Sequence, residues 1–213
     1  MLNSFVMNVG QDQLPTIAHL CTVIIERLEK TVAMQNQVVS MDDKNTLEEM
    51  QTSLASVLMS IIQRLDKEIK PQADRIMQAL FGILSSAPSN SIVPDAVFGT
   101  VGSLANALEE DFTVYMEVFA PFLYTALGNE QEQQLCSLAI GLVSDIARSI
   151  QEKVTPYCDN FMNFLLNNLK VISIYFHYQF LFTYCVRIIE FYFEPNIQTS
   201  NSTVFWRYCP GNW

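Results

Sequence analysis

Ile69-Lys70-Pro71-Gln72-Ala73-Asp74-Arg75-Ile76-Met77-Gln78-Ala79-Leu80 returns 43 residues later as Phe112-Thr113-Val114-Tyr115-Met116-Glu117-Val118-Phe119-Ala120-Pro121-Phe122-Leu123. It returns again after 42 more residues as Val154-Thr155-Pro156-Tyr157-Cys158-Asp159-Asn160-Phe161-Met162-Asn163-Phe164-Leu165. Apolar residues coincide at the first, eighth, ninth and last positions, and an acid stands at the sixth. The correspondence extends to the segment before each copy. Leu58, Val101 and Val143 keep the same two offsets, as do Ile61, Leu104 and Ile146, and Leu65, Leu108 and Ile150.

A period near 40 residues marks stacked helix pairs of the HEAT or armadillo kind, in which no single repeat buries its own apolar face. The expected fold is therefore all-α, a HEAT-repeat α-solenoid built as a right-handed stack of antiparallel helix pairs. Apolar residues recur every three to four positions in Leu47, Met50, Leu54, Val57, Leu58, Ile61, Ile62 and Leu65, one face of an amphipathic helix. Asp42 to Asn45 supply cap candidates and early negative charge for it. Further helices read as 14–34, 71–86, 93–108, 112–127, 131–149 and 154–169. Gly128-Asn129 reads as a tight turn with a C-cap glycine, and Ser85 to Ser91 as a polar loop closed by Pro94 at a first helical position. Very short links at Lys67-Glu68, Glu109-Glu110-Asp111 and Gln151-Glu152-Lys153 force antiparallel neighbours.

Half of the 213 residues are apolar and 16% are charged, ample material for a core. The formal charge is −10, and the whole excess precedes residue 171: residues 1–170 carry 20 Asp or Glu against 10 Lys or Arg. Such a surface repels phosphate backbones, which disfavours nucleic acid and favours basic protein partners. Cys21, Cys136, Cys158, Cys185 and Cys209 are scattered and never form C-x-x-C, the pattern of reduced thiols in a cytosolic or nuclear protein. The first three are expected to pack as small apolar residues.

Two domains are expected: a repeat array over 1–170, about three and a half repeats, and an aromatic tail over 171–213. Residues 1–8 read as the end of a truncated helix, since nothing there presents the polar cap of a terminal repeat, so the chain reads as a fragment. Residues 171–189 are long enough to span a bilayer, which raises a tail-anchored alternative. Arg187, Gln179 and His177 inside the span, and aromatics throughout its centre, weigh against it. The tail begins where a second helix is due, at a valine, whose codon starts with GT as most introns do. Intron read-through is the expected account, with the tail aberrant or disordered. No basic segment followed by an apolar run marks a signal peptide.

Residues 2–170 closely resemble the importin-beta (karyopherin-beta) family, particularly its fungal members. The carriers are Leu47-Glu48-Glu49-Met50-Gln51-Thr52-Ser53-Leu54, the run Gly102-Ser103-Leu104-Ala105-Asn106-Ala107-Leu108-Glu109-Glu110-Asp111-Phe112, Tyr115 to Leu123, and Gly141-Leu142-Val143-Ser144-Asp145-Ile146. These strings exceed a generic HEAT consensus and discriminate against the rival reading, a phosphatase-type HEAT scaffold. The resemblance implies a middle-to-C-terminal stretch of a nuclear import receptor, found in cytoplasm, nucleus and nuclear pore. It implies binding to importin-alpha or basic import signals, to phenylalanine-glycine nucleoporins, and to the GTPase Ran, whose main site lies in repeats outside this stretch.

Two sets of candidate partner-binding residues follow. Tyr115, Phe119, Tyr157 and Phe161, with Phe122 and Phe164 beside them, either pack between layers or line grooves between first helices that seat nucleoporin phenylalanines. Glu48, Glu49, Asp95, Glu130 and Glu132 stand on the second helices and their leading turns. Second helices line the concave face of such arrays, so these acids either pair with a wrapped basic helix or stabilise helix N-termini. Asp74, Glu117 and Asp159 form a ladder whose expected role is structural, bonded to backbone amides or basic groups. His19 has no paired nucleophile, and the sequence contains no glycine-rich phosphate loop or metal-ligand cluster, so neither enzyme activity nor a cofactor is expected.

Overall fold

A computed structural model describes residues 6–8, 14–35, 37–38, 40–88, 91–129 and 131–172. Its helices are α1 (Leu14–Gln35), α2 (Met41–Leu65), α3 (Ala73–Ser86), α4 (Val93–Leu108), α5 (Thr113–Leu127), α6 (Gln133–Ile150) and α7 (Cys158–Ile172), with no strand among the described residues. Helices α1 and α2, α3 and α4, and α5 and α6 form the repeats, and α7 opens the next one. Second helices α2, α4 and α6 pack closely in succession, whereas α3, α5 and α7 touch one another only lightly. A stack that is tight on one side and splayed on the other curves toward the tight side, so the second helices take the inner face.

The residues in register are core layers. Leu58, Val101 and Val143 are completely buried, as are Ile61, Leu104 and Ile146; Leu65, Leu108 and Ile150 complete the set. One apolar cluster runs without a break from Ile17 on α1 to Leu165 on α7. Burying one side chain of this size contributes about 1.5–3 kcal/mol, so successive layers outweigh any single polar contact at the surface. Cys21, Cys136 and Cys158 are buried and in no disulfide, as small packing residues would be. Burial pushes the Cys21 and Cys158 thiols up to about 12, which leaves them unreactive.

The links differ from the expected short loops. Each is a 3₁₀ segment, at Asp66–Gln72, Glu109–Phe112 and Gln151–Tyr157. Residues 69, 112 and 154 therefore belong to the links, and the following α-helices begin only at Ala73, Thr113 and Cys158. Every link opens on a non-glycine residue with positive φ: Asp66 at 48°, Glu109 at 53° and Gln151 at 51°. The matching ψ values are −129°, −131° and −127°, a region where a Cβ crowds the backbone. The N–H of each donates to the carbonyl four residues back, on Ile62, Ala105 and Ala147, and so closes the second helix. Three residues further on, Ile69, Phe112 and Val154 plunge into the core, at most 1% exposed. The reversed backbone is what aims that side chain inward, and its burial offsets the strain.

Gly128 closes α5 without the left-handed geometry expected of a C-cap glycine, because its φ is −86°. A Cβ there would lie 3.3 Å from Cε1 of Phe164 and 3.4 Å from the Tyr124 carbonyl oxygen, so the requirement is close approach of the next repeat. Helix α7 runs two residues past the boundary placed at 170. No helix of the described residues is long and apolar enough to cross a membrane, and residues 173–189 of the candidate anchor lie outside them. His177 and the rest of the aromatic tail also lie outside them.

A strained backbone at Gln151 carries a direct consequence. Relief of about 1–3 kcal/mol of strain exceeds the roughly 0.5–1 kcal/mol that glycine adds to the entropy of the unfolded chain. Gln151→Gly is expected to raise the thermal midpoint, and Gln151→Val to lower it, in scanning calorimetry. A lower midpoint for the glycine variant would contradict the strain assignment.

Candidate partner-binding surfaces

On the outer face, the first helices α3, α5 and α7 lie side by side, and their half-buried aromatics meet in pairs. Phe81 of α3 stacks on Phe122 of α5, with centroids 6.1 Å apart and planes 14° from parallel. One repeat on, Tyr124 of α5 stacks on Phe164 of α7, at 5.5 Å and 15°. Phe81 and Tyr124 are 43 residues apart, Phe122 and Phe164 are 42 apart, so both pairs use the same two repeat positions. The two grooves flanking α5 thus contain equivalent stacked rungs. Beside the first rung, Val118 and Val114 stand 53% and 73% exposed, one turn apart on α5, with Pro121 exposed a turn beyond Val118. The outer side of α5 thus carries Val114, Val118 and Pro121 beside the exposed Glu117, bordered by half-buried rings.

Two of the four expected groove residues are elsewhere. Phe119 and Phe161 are completely buried and offer no ring face to a ligand. Phe119 packs edge-on against Phe98 of the second helix α4 at 5.7 Å, and Phe161 packs against Tyr124 at 5.6 Å. Their repeat position is a core position, as Ile76, fully buried, is one repeat earlier. Tyr115 is half-buried on α5, and Tyr157 is half-buried as the last residue of the third link rather than on α7. The Tyr115 hydroxyl donates to the Asp74 carboxylate at 2.5 Å; burial, then that carboxylate, pushes the phenol well above its usual range. Burial also raises Tyr157, followed by the charge of Glu117. The acid ladder therefore faces tyrosines of the next repeat at Asp74 and Glu117, rather than the expected amides or basic groups.

The inner-face acids separate into different environments. Glu48 is half-buried and Glu49 exposed on α2. Asp95, in the first turn of α4, accepts a hydrogen bond of 2.7 Å from Nε2 of Gln134 on α6. Burial nevertheless raises its pKa, and the Gln134 bond only partly counters this. Glu132 is the N-cap residue of α6 and makes no side-chain cap bond; its backbone carbonyl accepts the Cys136 N–H at 3.0 Å. Glu130 lies outside the described residues. Neighbouring second helices are also joined by Gln63 donating to Ser103 at 3.1 Å and Ser149 donating to Asn106 at 3.0 Å. The second helices are thus laterally hydrogen-bonded, and Glu49 stands exposed on α2.

Comparison with known proteins agrees with this architecture. Residues 1–180 match the family model described as importin subunit beta-1-like, TPR repeats. The chain belongs to this importin-beta family. It is 44% identical over 157 residues to importin subunit beta-1 of Schizosaccharomyces pombe, covering 74% of this chain and 18% of that protein. Against importin subunit beta-1 of Saccharomyces cerevisiae the identity is 30% over 150 residues, 70% of this chain and 17% of that one. A crystal structure of importin beta in an ammonium sulfate condition superposes with TM-score 0.91 at 50% identity, over 97% of this chain and 24% of that chain. The Kap95:Nup1 complex gives TM-score 0.69 at 28% identity, over 79% of this chain and 19% of that chain. Kap95p bound to RanGDP gives 0.72 at 26%, over 88% and 21%. This importin-beta chain spans about a fifth of the relatives it matches. The family match runs ten residues past 170, so the resemblance does not stop where the composition changes. The periods of 43 and 42 residues fit HEAT repeats of about 40–47, not the 34 of a tetratricopeptide repeat.

The environment of Asp95 makes a pH prediction. A carboxyl whose folded-state pKa is raised is destabilising when charged, so its stability contribution is complete below the ordinary value and lost as pH rises through the folded one. Asp95→Asn is expected to raise the thermal midpoint at neutral pH. The gap between variant and parent should close as pH falls below about 4. A gap that widens in acid would mean that the Gln134 bond or the helix N-terminus outweighs burial.

Proposed function

We propose that this chain is a protein-binding segment of a nuclear import receptor, working in cytoplasm and nucleus and at the nuclear pore, and catalysing no reaction. The observation that carries this reading is the pair of equivalent aromatic rungs on the outer face of an importin-beta array. A phenylalanine side chain laid on Phe81, Phe122 and Val118 buries a ring at low entropic cost, because the receiving rings are already held in place. A nucleoporin segment carrying phenylalanine-glycine motifs is the ligand of that chemistry, in line with the Kap95:Nup1 complex. The reading also includes response to Ran, in line with the complex of Kap95p with RanGDP. Ran's principal contacts fall in parts of the receptor beyond this segment.

The outer-face assignment is tested by fluorescence polarisation of a phenylalanine-glycine peptide. Val118→Asp puts a charge on the outer side of α5 without disturbing the core and is expected to weaken binding about tenfold, equivalent to about 1.4 kcal/mol. Leu138→Asp, 40% exposed on the second helix α6, is expected to leave it unchanged. Equal effects from both variants, or none from Val118→Asp, would refute the outer-face assignment.

On the inner face, Glu48, Glu49, Asp95 and Glu132, joined on sequence grounds by Glu130, are assigned to a basic partner, importin-alpha or a cargo import signal. Acids on successive second helices steer such a partner and select for charge more than they add raw affinity. A basic helical peptide is expected to bind more weakly as salt rises, since exposed pairs are screened over about 8–10 Å at ordinary ionic strength. The triple variant Glu48→Lys, Glu49→Lys, Asp95→Lys should weaken that binding while circular dichroism stays unchanged. Undiminished binding by the folded triple variant would assign these residues to helix ends alone.

A further inference from the structure

The three links lie at equivalent places, and their charges are not distributed evenly. The middle link carries Glu109, Glu110 and Asp111 with no cation of its own. Lys67 of the preceding link reaches Glu109 at 2.9 Å, and Lys70 of that link reaches Asp111 at 2.6 Å. Lys153 of the following link reaches Glu110 at 3.0 Å. Each acid thus has one lysine, and the middle link is neutralised from both sides. All six side chains are more than half exposed, so these pairs contribute little to folding.

Their position gives them another role. Each link is pinned to its own repeat by a buried anchor, Ile69, Phe112 or Val154, and by its helix-closing N–H bond. Thr113 and Thr155 add equivalent hydroxyl bonds to the Glu110 and Glu152 carbonyls. The charges therefore ride on rigid platforms, one per repeat, and their separations change directly when one repeat rotates against the next. Between the first helices that follow the links, the two aromatic rungs and the Tyr115–Asp74 bond are the contacts that such a rotation works against.

We propose that Glu109-Glu110-Asp111 and the lysines Lys67, Lys70 and Lys153 form an electrostatic clasp that sets the angle between three successive repeats, so that the curvature of the array responds to ionic strength. Closed, the clasp pairs three negative charges with three positive ones across two junctions. Salt weakens that attraction, and the junctions relax along the link edge. The rotation that opens the clasp also changes the width of the grooves holding the aromatic rungs, because the same repeats carry both.

The test is a pulsed electron spin resonance distance between labels at Glu68→Cys and Glu152→Cys, exposed residues of the outer links that are not members of the clasp. Cys185 and Cys209 are replaced by Ser in the full chain, and the buried Cys21, Cys136 and Cys158 are kept. Raising salt from about 0.05 M to about 1 M, where the screening length falls to about 3 Å, is expected to lengthen and broaden the distance distribution. The variant Lys67→Gln, Lys70→Gln, Lys153→Gln should show the lengthened distribution at low salt and lose the salt response. Lys30→Gln on α1 should keep both parental properties. The charge-swapped variant, Lys67→Glu, Lys70→Glu, Lys153→Glu with Glu109→Lys, Glu110→Lys, Asp111→Lys, should restore them. A folded glutamine variant with parental distance and salt response would overturn the clasp. Should that variant fail to fold, a folded swapped variant without the salt response would overturn it equally.

Discussion

The burial of one apolar side chain per link is the constraint on which the rest of the array depends. Ile69, Phe112 and Val154 reach the core only because Asp66, Glu109 and Gln151 turn the backbone through a conformation natural to glycine. That geometry ends one helix, aims the anchor and sets where the next helix begins. The chain accepts strain of about 1–3 kcal/mol at each turn, comparable to the return from burying one such anchor. Polar side chains in place of glycine also put charges on the link edge, where Glu109 pairs with Lys67.

The two faces inherit their characters from this arrangement. Close packing of α2, α4 and α6 lets side chains of neighbouring second helices hydrogen-bond laterally, as Gln134 does to Asp95. Gly102 shows how tight that packing is, for a Cβ there would stand 3.2 Å from Cδ1 of Leu142. The splayed first helices leave grooves, and large rings fill them. Phe81 on Phe122 and Tyr124 on Phe164 bridge neighbouring repeats, so the surface that offers apolar area to a partner also holds the first helices together. Surfaces of this kind are built to bind along their length, because each repeat presents the same two positions again.

Much of the candidate site was legible as position and little of it as exposure. The acids on second helices and the aromatics on first helices follow from helical period and repeat offset. Whether a ring is covered depends on the angle between neighbouring helices, which residues distant in sequence decide. Phe119 and Phe161 illustrate this, and a signal for their burial was present: their counterpart one repeat earlier is aliphatic Ile76, a core residue. Tyr115 and Tyr157 match Gln72 at that place, whose polar character marks a half-covered position. The rung position was marked too, by an aromatic at both Phe81 and Tyr124.

The amino-acid sequence by itself determined the helices, the period and the layers that face inward, because apolar spacing along a helix commits one face to burial before any partner is chosen. It also determined the sign of the surface and, through strings beyond the repeat consensus, the family. Only the tertiary structure decided that the links are strained 3₁₀ turns, that Gly128 serves the close approach of Phe164, and that each acid of the middle link meets a lysine from an adjoining repeat. Those outcomes depend on the rotation of one repeat against the next, and that rotation is set by packing between residues some forty positions apart.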